Sequence, residues 1–148
     1  MTPLTDNALF SKITNRTIEV QRLRSVILQL IHEFYSAEGF ILVDPPILHE
    51  QIPQKKREFY LPQLNNKFSL NSSNALYLGA YASIFGKVYS ISPTFRLEDD
   101  SLNHLKEFRM IEAEMVGVDY VELMDFVERF IRQVLLGLCS KSIIQDNT

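Results

Sequence analysis

The sequence has little of the residues and patterns that define several protein classes. It contains one cysteine, Cys139, among 148 residues, which excludes an internal disulfide and a thiolate metal site. It has no apolar run of membrane-spanning length, and its start, MTPLTDNALF, lacks the basic residues and long apolar stretch of a signal peptide. We therefore expect a cytoplasmic protein without a membrane partner, and we expect Cys139 to be a core residue on a helix.

Strong charge of either sign is also missing. The chain has 15 Lys+Arg against 18 Asp+Glu, a formal net charge of −3, which gives no electrostatic footprint for DNA or an anionic membrane. The only basic cluster, residues 55–57, lies in a proline-flanked loop and is typical of solvated surface. Apolar residues make up 46% of the chain, enough for one core at this length. We predict a single domain over residues 1–148, with a frayed tail over residues 139–148.

Periodicity and chain-breaking residues place the elements of an α+β fold. Gly39 and Gly86 are expected to end two helices, and Asp119 with Glu122 has capping-box spacing at the start of a third. In chain order the predicted elements are a helix over 17–37, a strand over 40–44, a long loop over 49–66, a strand over 67–70, a helix over 75–85, a strand over 88–92, a hairpin over 95–115 and a helix over 120–138.

Apolar positions that recur every three or four residues are expected to face a core. In the second helix these residues are Leu78, Tyr81, Ala82 and Phe85. In the third they are Leu123, Phe126, Val127, Phe130, Ile131, Val134 and Leu135.

The stretch FRLEDDSLNHLKEFRMIEAEM, residues 95–115, alternates charged with apolar residues. At the period of two that strands impose, Arg96 and Glu98 share one face of a first strand. A polar stretch that contains His104 suits a hairpin loop. The second strand places a matching set on one face: Phe108, Met110, Glu112 and Glu114. Antiparallel pairing would join both sets into one polar surface beside an aromatic ring, although alternating charge on such a strand is most often only a solvated face.

Three segments in this order, GFILVDPPIL, LNSSNALYL and FRLEDDSLNHLKEFRMIEAEM, resemble the catalytic core of class II aminoacyl-tRNA synthetases. The likeness covers residues 17–135 and is greatest to the asparaginyl and aspartyl enzymes. The first segment resembles motif 1, which forms a dimer interface; the second resembles a segment that lines the amino-acid pocket; the third resembles motif 2, whose hairpin holds ATP. The resemblance implies a partial class II fold, an antiparallel sheet flanked by helices. We predict that the helices over 17–37 and 120–138 pack against the apolar side of this sheet, because the apolar rows Phe95/Leu97 and Ile111/Ala113/Met115 need cover.

The resemblance also implies roles for individual residues. Arg96 would meet the α-phosphate of ATP, and Phe108 would stack on adenine. The implied ATP contacts are Arg96, Glu98, His104 and Phe108. The implied amino-acid pocket is Ser72, Ser73, Asn74, Glu112 and Glu114. The implied dimer contacts are Gly39, Phe40 and Pro46.

Several of these residues have a second interpretation. Ser72 or Ser73 suits the N-cap of a helix. Glu98 could bond adenine, the end of a tRNA, or Arg109. Glu112 and Glu114 could bind a metal or a substrate ammonium, or belong to a structural network, and no metal site is predicted from them.

The sequence also departs from the family pattern. Nothing after Met115 resembles motif 3, whose Arg grips the γ-phosphate, and the later acidic residues that hold Mg²⁺ are missing. Mg²⁺ is therefore expected only with residues from elsewhere or from a partner, and ATP binding is expected to be weak or partner-dependent. Pro45 stands where a Thr is usual, Asn103 where an Arg commonly precedes the histidine, the motif 2 loop is one residue shorter, and the pocket segment lacks its Gln residues.

Three functions remain open from the sequence. The chain could be an adenylating ligase, as a fragment of a synthetase or a small relative. It could be a non-catalytic paralogue that dimerises and binds a protein, a nucleotide or tRNA. It could be half of a split active site to which a partner chain supplies motif 3. A homodimer through motif 1 is expected in each case.

Overall fold

The computed structural model describes residues 14–50, 59–62, 68–98 and 104–141 and has an α+β fold. The predicted basic cluster at 55–57, the hairpin-loop residues 99–103 and the tail residues 142–148 lie outside the described residues. The described elements are α1 (Asn15–Ala37), β1 (Ile41–Leu42), β2 (Leu48–Glu50), β3 (Phe68–Leu70), α2 (Ala75–Phe85), β4 (Lys87–Phe95), β5 (Glu107–Met115) and α3 (Tyr120–Ser140).

These elements are grouped into two compact units. Helices α1 and α3 belong to one unit, and residues Glu38–Val118 form the other. The prediction of a single domain over the whole chain therefore stays a prediction, as does the packing of α1 and α3 against the sheet. Within the described residues, no helix combines enough length with enough apolarity to cross a membrane.

Helices α1 and α3 pack through an aromatic cluster. The ring of Phe34 lies 5.2 Å from both Phe126 and Phe130, and the ring of Tyr35 lies 5.4 Å from Phe130. Further along α3, a Cβ added at Gly137 would lie 2.5 Å from the side chain of Leu30, so the two helices approach closely there. Because α1 runs from Leu30 to Phe34 while its contacts on α3 run from Gly137 back to Phe126, the pair is antiparallel.

The apolar stripe of α3 is only partly buried. Phe126 is buried at 6% exposure, and Phe130 and Val134 are half-buried, as predicted. The other residues predicted to face a core are exposed, by between 44% and 57%: Leu123, Val127, Ile131 and Leu135. Cys139 is also exposed on α3 and is not a core residue. The helix continues to Ser140, two residues beyond its predicted end.

The sheet of the second unit has the strand order β1-β4-β5. Strands β4 and β5 form the predicted antiparallel hairpin, with Lys87 opposite Met115 and Phe95 opposite Glu107. Strand β1 joins β4 in parallel and is shorter than the predicted strand over 40–44. Strands β2 and β3 form a separate antiparallel pair, in which His49 lies opposite Ser69. His49 and Glu50 of β2 belong to the region that was predicted as a long loop.

Pro93 lies within β4, so the predicted strand over 88–92 and the first strand of the hairpin are one continuous strand. Tyr89 accepts a hydrogen bond from Val43, just beyond β1, and the N–H of Phe95 bonds Asn71. Backbone groups two residues apart point to the same side of a strand. The missing N–H of Pro93 therefore falls on the side away from β5 and past the end of β1, where the ladder loses no bond.

Helix α2 packs against the β4–β5 hairpin and carries the core of this unit. Leu78 and Ala82 are buried with Val88 of β4, and the partly buried Val43 packs against them. Tyr81 and Phe85 were predicted to face inward but are 37% and 49% exposed, and their rings stack on each other at 6.3 Å. Glycines with positive φ follow α1 and α2 where predicted, at Gly39 and Gly86.

Candidate functional site

One face of the β4–β5 hairpin collects the residues that the sequence predicted to lie together. Directly opposed residues of an antiparallel pair share a face, and the register opposes Ser90 with Glu112, Ser92 with Met110 and Thr94 with Phe108. We call this surface the site face; its members are Val88, Ser90, Ser92, Thr94, Phe108, Met110, Glu112 and Glu114.

The first strand of the hairpin is shorter than predicted. It ends at Phe95, so Arg96 and Glu98 lie just beyond it. The N–H of Arg96 still donates to the carbonyl of Lys106 at 3.0 Å, which keeps Arg96 in register with the site face.

The guanidinium of Arg96 is held by groups from two elements. Its Nε donates to the carbonyl of Ser72 at 3.1 Å, and its Nη2 lies 3.4 Å from the sulfur of Met110. Its Cζ lies 5.4 Å from the ring centroid of Phe108, within the range of a cation–π contact. Arginine has five N–H donors, and among the described residues the Nη1 group of Arg96 has no recorded acceptor. That edge of the guanidinium is suited to an anion.

Phe108 is half-buried on the same face. Because Arg96 lies over part of its ring, an adenine would stack on the remaining ring surface while its phosphate met the guanidinium. Arg96 and Phe108 are thus neighbours, in an arrangement that can take an aromatic base and an anion together.

Residues 71–74, which precede α2, are fastened to the site face. Ser73 Oγ donates to Glu112 at 2.6 Å, and the N–H of Asn74 donates to both oxygens of the same carboxylate at 3.1 and 3.0 Å. The N-cap of α2 is Asn74, which makes no side-chain capping bond, so the prediction of Ser72 or Ser73 as the cap is wrong. Glu112, from β5, supplies the negative charge at this helix start.

The side chain of Asn74 points into the sheet instead. It is fully buried, and its amide donates to Ser90 Oγ at 3.2 Å and to Ser92 Oγ. Sequence reasoning assigned no role to these two serines. The signal that was available is their period-two spacing with Thr94 along an otherwise apolar strand.

The other predicted contacts differ in exposure. Glu98 and Glu114 are half-buried, and His104 is exposed. Among the described residues, no group of three or more His, Cys, Asp or Glu side chains is arranged to hold a metal ion. The carboxylate of Glu112 already accepts hydrogen bonds from Ser73 and Asn74.

The predicted dimer residues differ in exposure. Phe40 is 6% exposed, with its ring 6.5 Å from that of Tyr89 and 5.7 Å from the ammonium of Lys87. It therefore packs inside its own chain. Pro46 and Gly39 are exposed.

Comparison with known proteins decides the family. The family model for class II tRNA synthetases (D, K and N) matches residues 4–146. The chain belongs to the class II aminoacyl-tRNA synthetases. Asparaginyl-tRNA synthetase from Pyrococcus horikoshii, in complex with asparaginyl-adenylate, is similar to this class II chain at 25% identity and a TM-score of 0.77 over 88% of the chain. Asparaginyl-tRNA synthetase from Entamoeba histolytica is similar at 24% identity and a TM-score of 0.77 over 93%.

This class II chain spans about a third of those proteins. It covers 31% of the Pyrococcus protein and 33% of the Entamoeba protein. The fold is therefore shared over that part of the relatives, and an activity like that of the whole relatives is a proposal for this chain.

Proposed function

We propose that Arg96 and Phe108, at one end of the site face, form the adenine-nucleotide site of an asparaginyl- or aspartyl-type aminoacyl-tRNA ligase core. One observation carries this proposal: the guanidinium of Arg96 lies 5.4 Å from the ring of Phe108. The planar cation meets the α-phosphate through paired hydrogen bonds, and the ring stacks on adenine. A related structure that contains asparaginyl-adenylate supports the assignment.

Each contact has an expected strength. A hydrogen bond to a charged group contributes about 1.5–3 kcal/mol, and stacking of a base on an aromatic ring contributes about 1–3 kcal/mol. Together these contacts are enough for weak binding of an adenine nucleotide.

Adenylate formation by this chain alone is not expected. The sequence after Met115 has no segment that resembles motif 3, and no described carboxylate cluster fits Mg²⁺. The triphosphate would therefore be neither bent nor neutralised, and in-line attack by an amino-acid carboxylate would lose most of its electrostatic stabilisation. In the predicted amino-acid pocket, the Glu112 carboxylate already accepts hydrogen bonds from Ser73 and Asn74.

Titration calorimetry with ATP tests the site. Arg96→Ala and Phe108→Ala should each weaken binding about tenfold or more, given the contact energies above. Arg109→Ala is a matched control, because Arg109 is an exposed arginine on β5, the strand that carries Phe108, and lies on its opposite face. Binding that survives both site substitutions would place the nucleotide elsewhere. Pyrophosphate exchange at enzyme-like rates by the chain alone would contradict the proposed lack of adenylation.

A second candidate function, half of a split active site, is favoured by the outer edge of β5. The backbone groups of Arg109, Ile111 and Ala113 point away from β4, and no described residue bonds them. An open strand edge is a template for another strand. A partner that carries motif 3 could add its sheet there. Exchange activity that appears only when such a partner is added would support this candidate.

A homodimer through motif 1 and a cytoplasmic location are also part of the proposal. Strand β1 and the residues after it expose apolar side chains by 41–52%: Ile41, Leu42, Ile47 and Leu48. Contiguous exposed apolar residues often mark an interface. Fractionation of cells that express the tagged chain would test the location.

A further inference from the structure

Asn71 has its backbone and side-chain polar groups bonded although it is fully buried. Its N–H donates to the carbonyl of Ile47 at 2.8 Å, and its carbonyl accepts from the N–H of Phe95 at 2.7 Å. Asn71 is therefore fixed between the segment after β1 and the end of β4, and its backbone cannot shift without breaking bonds to both.

The side chain of Asn71 bonds the backbone of β4 beyond the end of β1. Its Nδ2 donates to the carbonyl of Pro93 at 3.3 Å, on the side of β4 where β1 has already ended. Its Oδ1 accepts from the N–H of Ser73 at 2.8 Å. Asn71 therefore fixes the backbone on both sides of Ser72. Its own backbone is bonded to Ile47 and Phe95, and its side chain holds the N–H of Ser73.

Ser72 is the residue between these anchors, and its carbonyl accepts from Nε of Arg96 at 3.1 Å. A bond at Nε sets the plane of the guanidinium, because the group is rigid and flat. The hydrogen bonds of Asn71 go to Ile47, Phe95, Pro93 and Ser73, and none of them goes to Arg96. Asn71 fixes the one oxygen that orients Arg96.

We propose that Asn71 is a positioning residue for Arg96: it holds the Ser72 carbonyl so that the guanidinium faces the α-phosphate of an adenine nucleotide. This inference rests on the proposed nucleotide site. It predicts that Asn71 affects the phosphate contact and leaves base stacking on Phe108 unchanged.

A variant at Asn71 should still fold, since residues 71–74 have a second attachment. Asn74 bonds Glu112 through its backbone and Ser90 through its side chain. Ser90→Ala is therefore a matched control. It removes a buried hydrogen bond at the other end of the segment and leaves every bond of Asn71 intact.

The test compares adenosine with AMP, since the ratio of their dissociation constants isolates the α-phosphate. For the wild type we expect AMP to bind about tenfold or more tightly than adenosine. Asn71→Ala should bring the ratio close to that of Arg96→Ala and leave the adenosine constant within about twofold. Ser90→Ala should keep the wild-type ratio. In the Arg96→Ala background, Asn71→Ala should have no further effect on the ratio. An equal loss for adenosine and AMP would show a merely structural role and overturn the proposal.

A second measurement needs no nucleotide. Hydrogen exchange of the Arg96 Nε–H, followed by NMR, reports directly on the bond to Ser72. Asn71→Ala should accelerate this exchange several-fold, and Ser90→Ala should not. Unchanged exchange in Asn71→Ala would overturn the positioning role. If the wild type binds neither adenosine nor AMP while the exchange result holds, the nucleotide site fails and the link from Asn71 to Arg96 stands.

Discussion

The sequence predicts the strand face on which Arg96 lies and suggests its role, but it does not predict the contact that orients its side chain. Its place on the site face follows from the period of two, and its role follows from the family likeness. The acceptor that orients it, the Ser72 carbonyl, lies 24 positions away along the chain. A backbone carbonyl carries no sequence signature, so neither this contact nor the part played by Asn71 could be predicted from the residues.

Tyr89 offers a test of burial in the sheet. Burial raises the pKa of its hydroxyl above the ordinary value of 10.0. Above pH 10 the folded state therefore holds a proton that the unfolded state has lost, and the free energy of unfolding must fall as pH rises through the folded pKa. Urea denaturation at about pH 9 and 11 should show a smaller fall for Tyr89→Phe than for the wild type.

Phe85→Leu is the control for this experiment, because Phe85 is 49% exposed on α2 and carries no titratable group. Its loss of stability between the two pH values should match that of the wild type. An identical pH dependence in wild type and Tyr89→Phe would mean that Tyr89 is not buried in the sheet.

At the scale of elements, contacts between residues close together in the sequence could be predicted, and contacts between residues far apart in the sequence could not. The capping box of α3 was predicted because Asp119 and Glu122 are three residues apart, and both of its bonds are present. The start of α2 at Ala75 was predicted, but its cap was not, because the charge at this helix start comes from Glu112, 38 residues from Asn74. Pairing of β4 with β5 creates that contact, so it depends on tertiary structure.

This cross-strand cap predicts a stability effect. Glu112→Ala leaves the buried N–H of Asn74 without its acceptor, and hydrogen bonds to charged groups contribute about 1.5–3 kcal/mol. We expect the free energy of unfolding to fall by about that amount in urea denaturation.

Glu107→Ala provides the comparison on the same strand, since Glu107 is exposed at the start of β5. Its effect should stay within about 0.5 kcal/mol. Equal effects of the two substitutions would show that the Glu112 carboxylate does not stabilise α2.

At the scale of the whole molecule, the family likeness predicted the fold better than periodicity predicted burial. Periodicity identified α3 as amphipathic, yet Ile131 and Leu135 are 51% and 57% exposed. A stripe of apolar residues indicates only that a helix can bury that face. Whether a partner covers the stripe depends on the rest of the assembly, which the pattern does not contain.

The proposed dimer is tested at an exposed leucine of β1. Leu42 is 52% exposed within the segment that resembles motif 1, so Leu42→Lys should place a charge in the interface and yield monomers at micromolar concentration. Leu76→Lys is the control, because Leu76 is 66% exposed on α2, and it should remain dimeric. Sedimentation of the wild type as a monomer would count decisively against the interface.

The most direct test of the nucleotide site is amide NMR of the wild-type chain titrated with AMP. We predict that the largest shift changes fall on the site face and its surroundings, at Ser72, Arg96 and Phe108. The opposite face of β5, at Arg109 and Ile111, should change little. Shift changes centred away from the hairpin, or the absence of any change at millimolar AMP, would contradict the proposed nucleotide site.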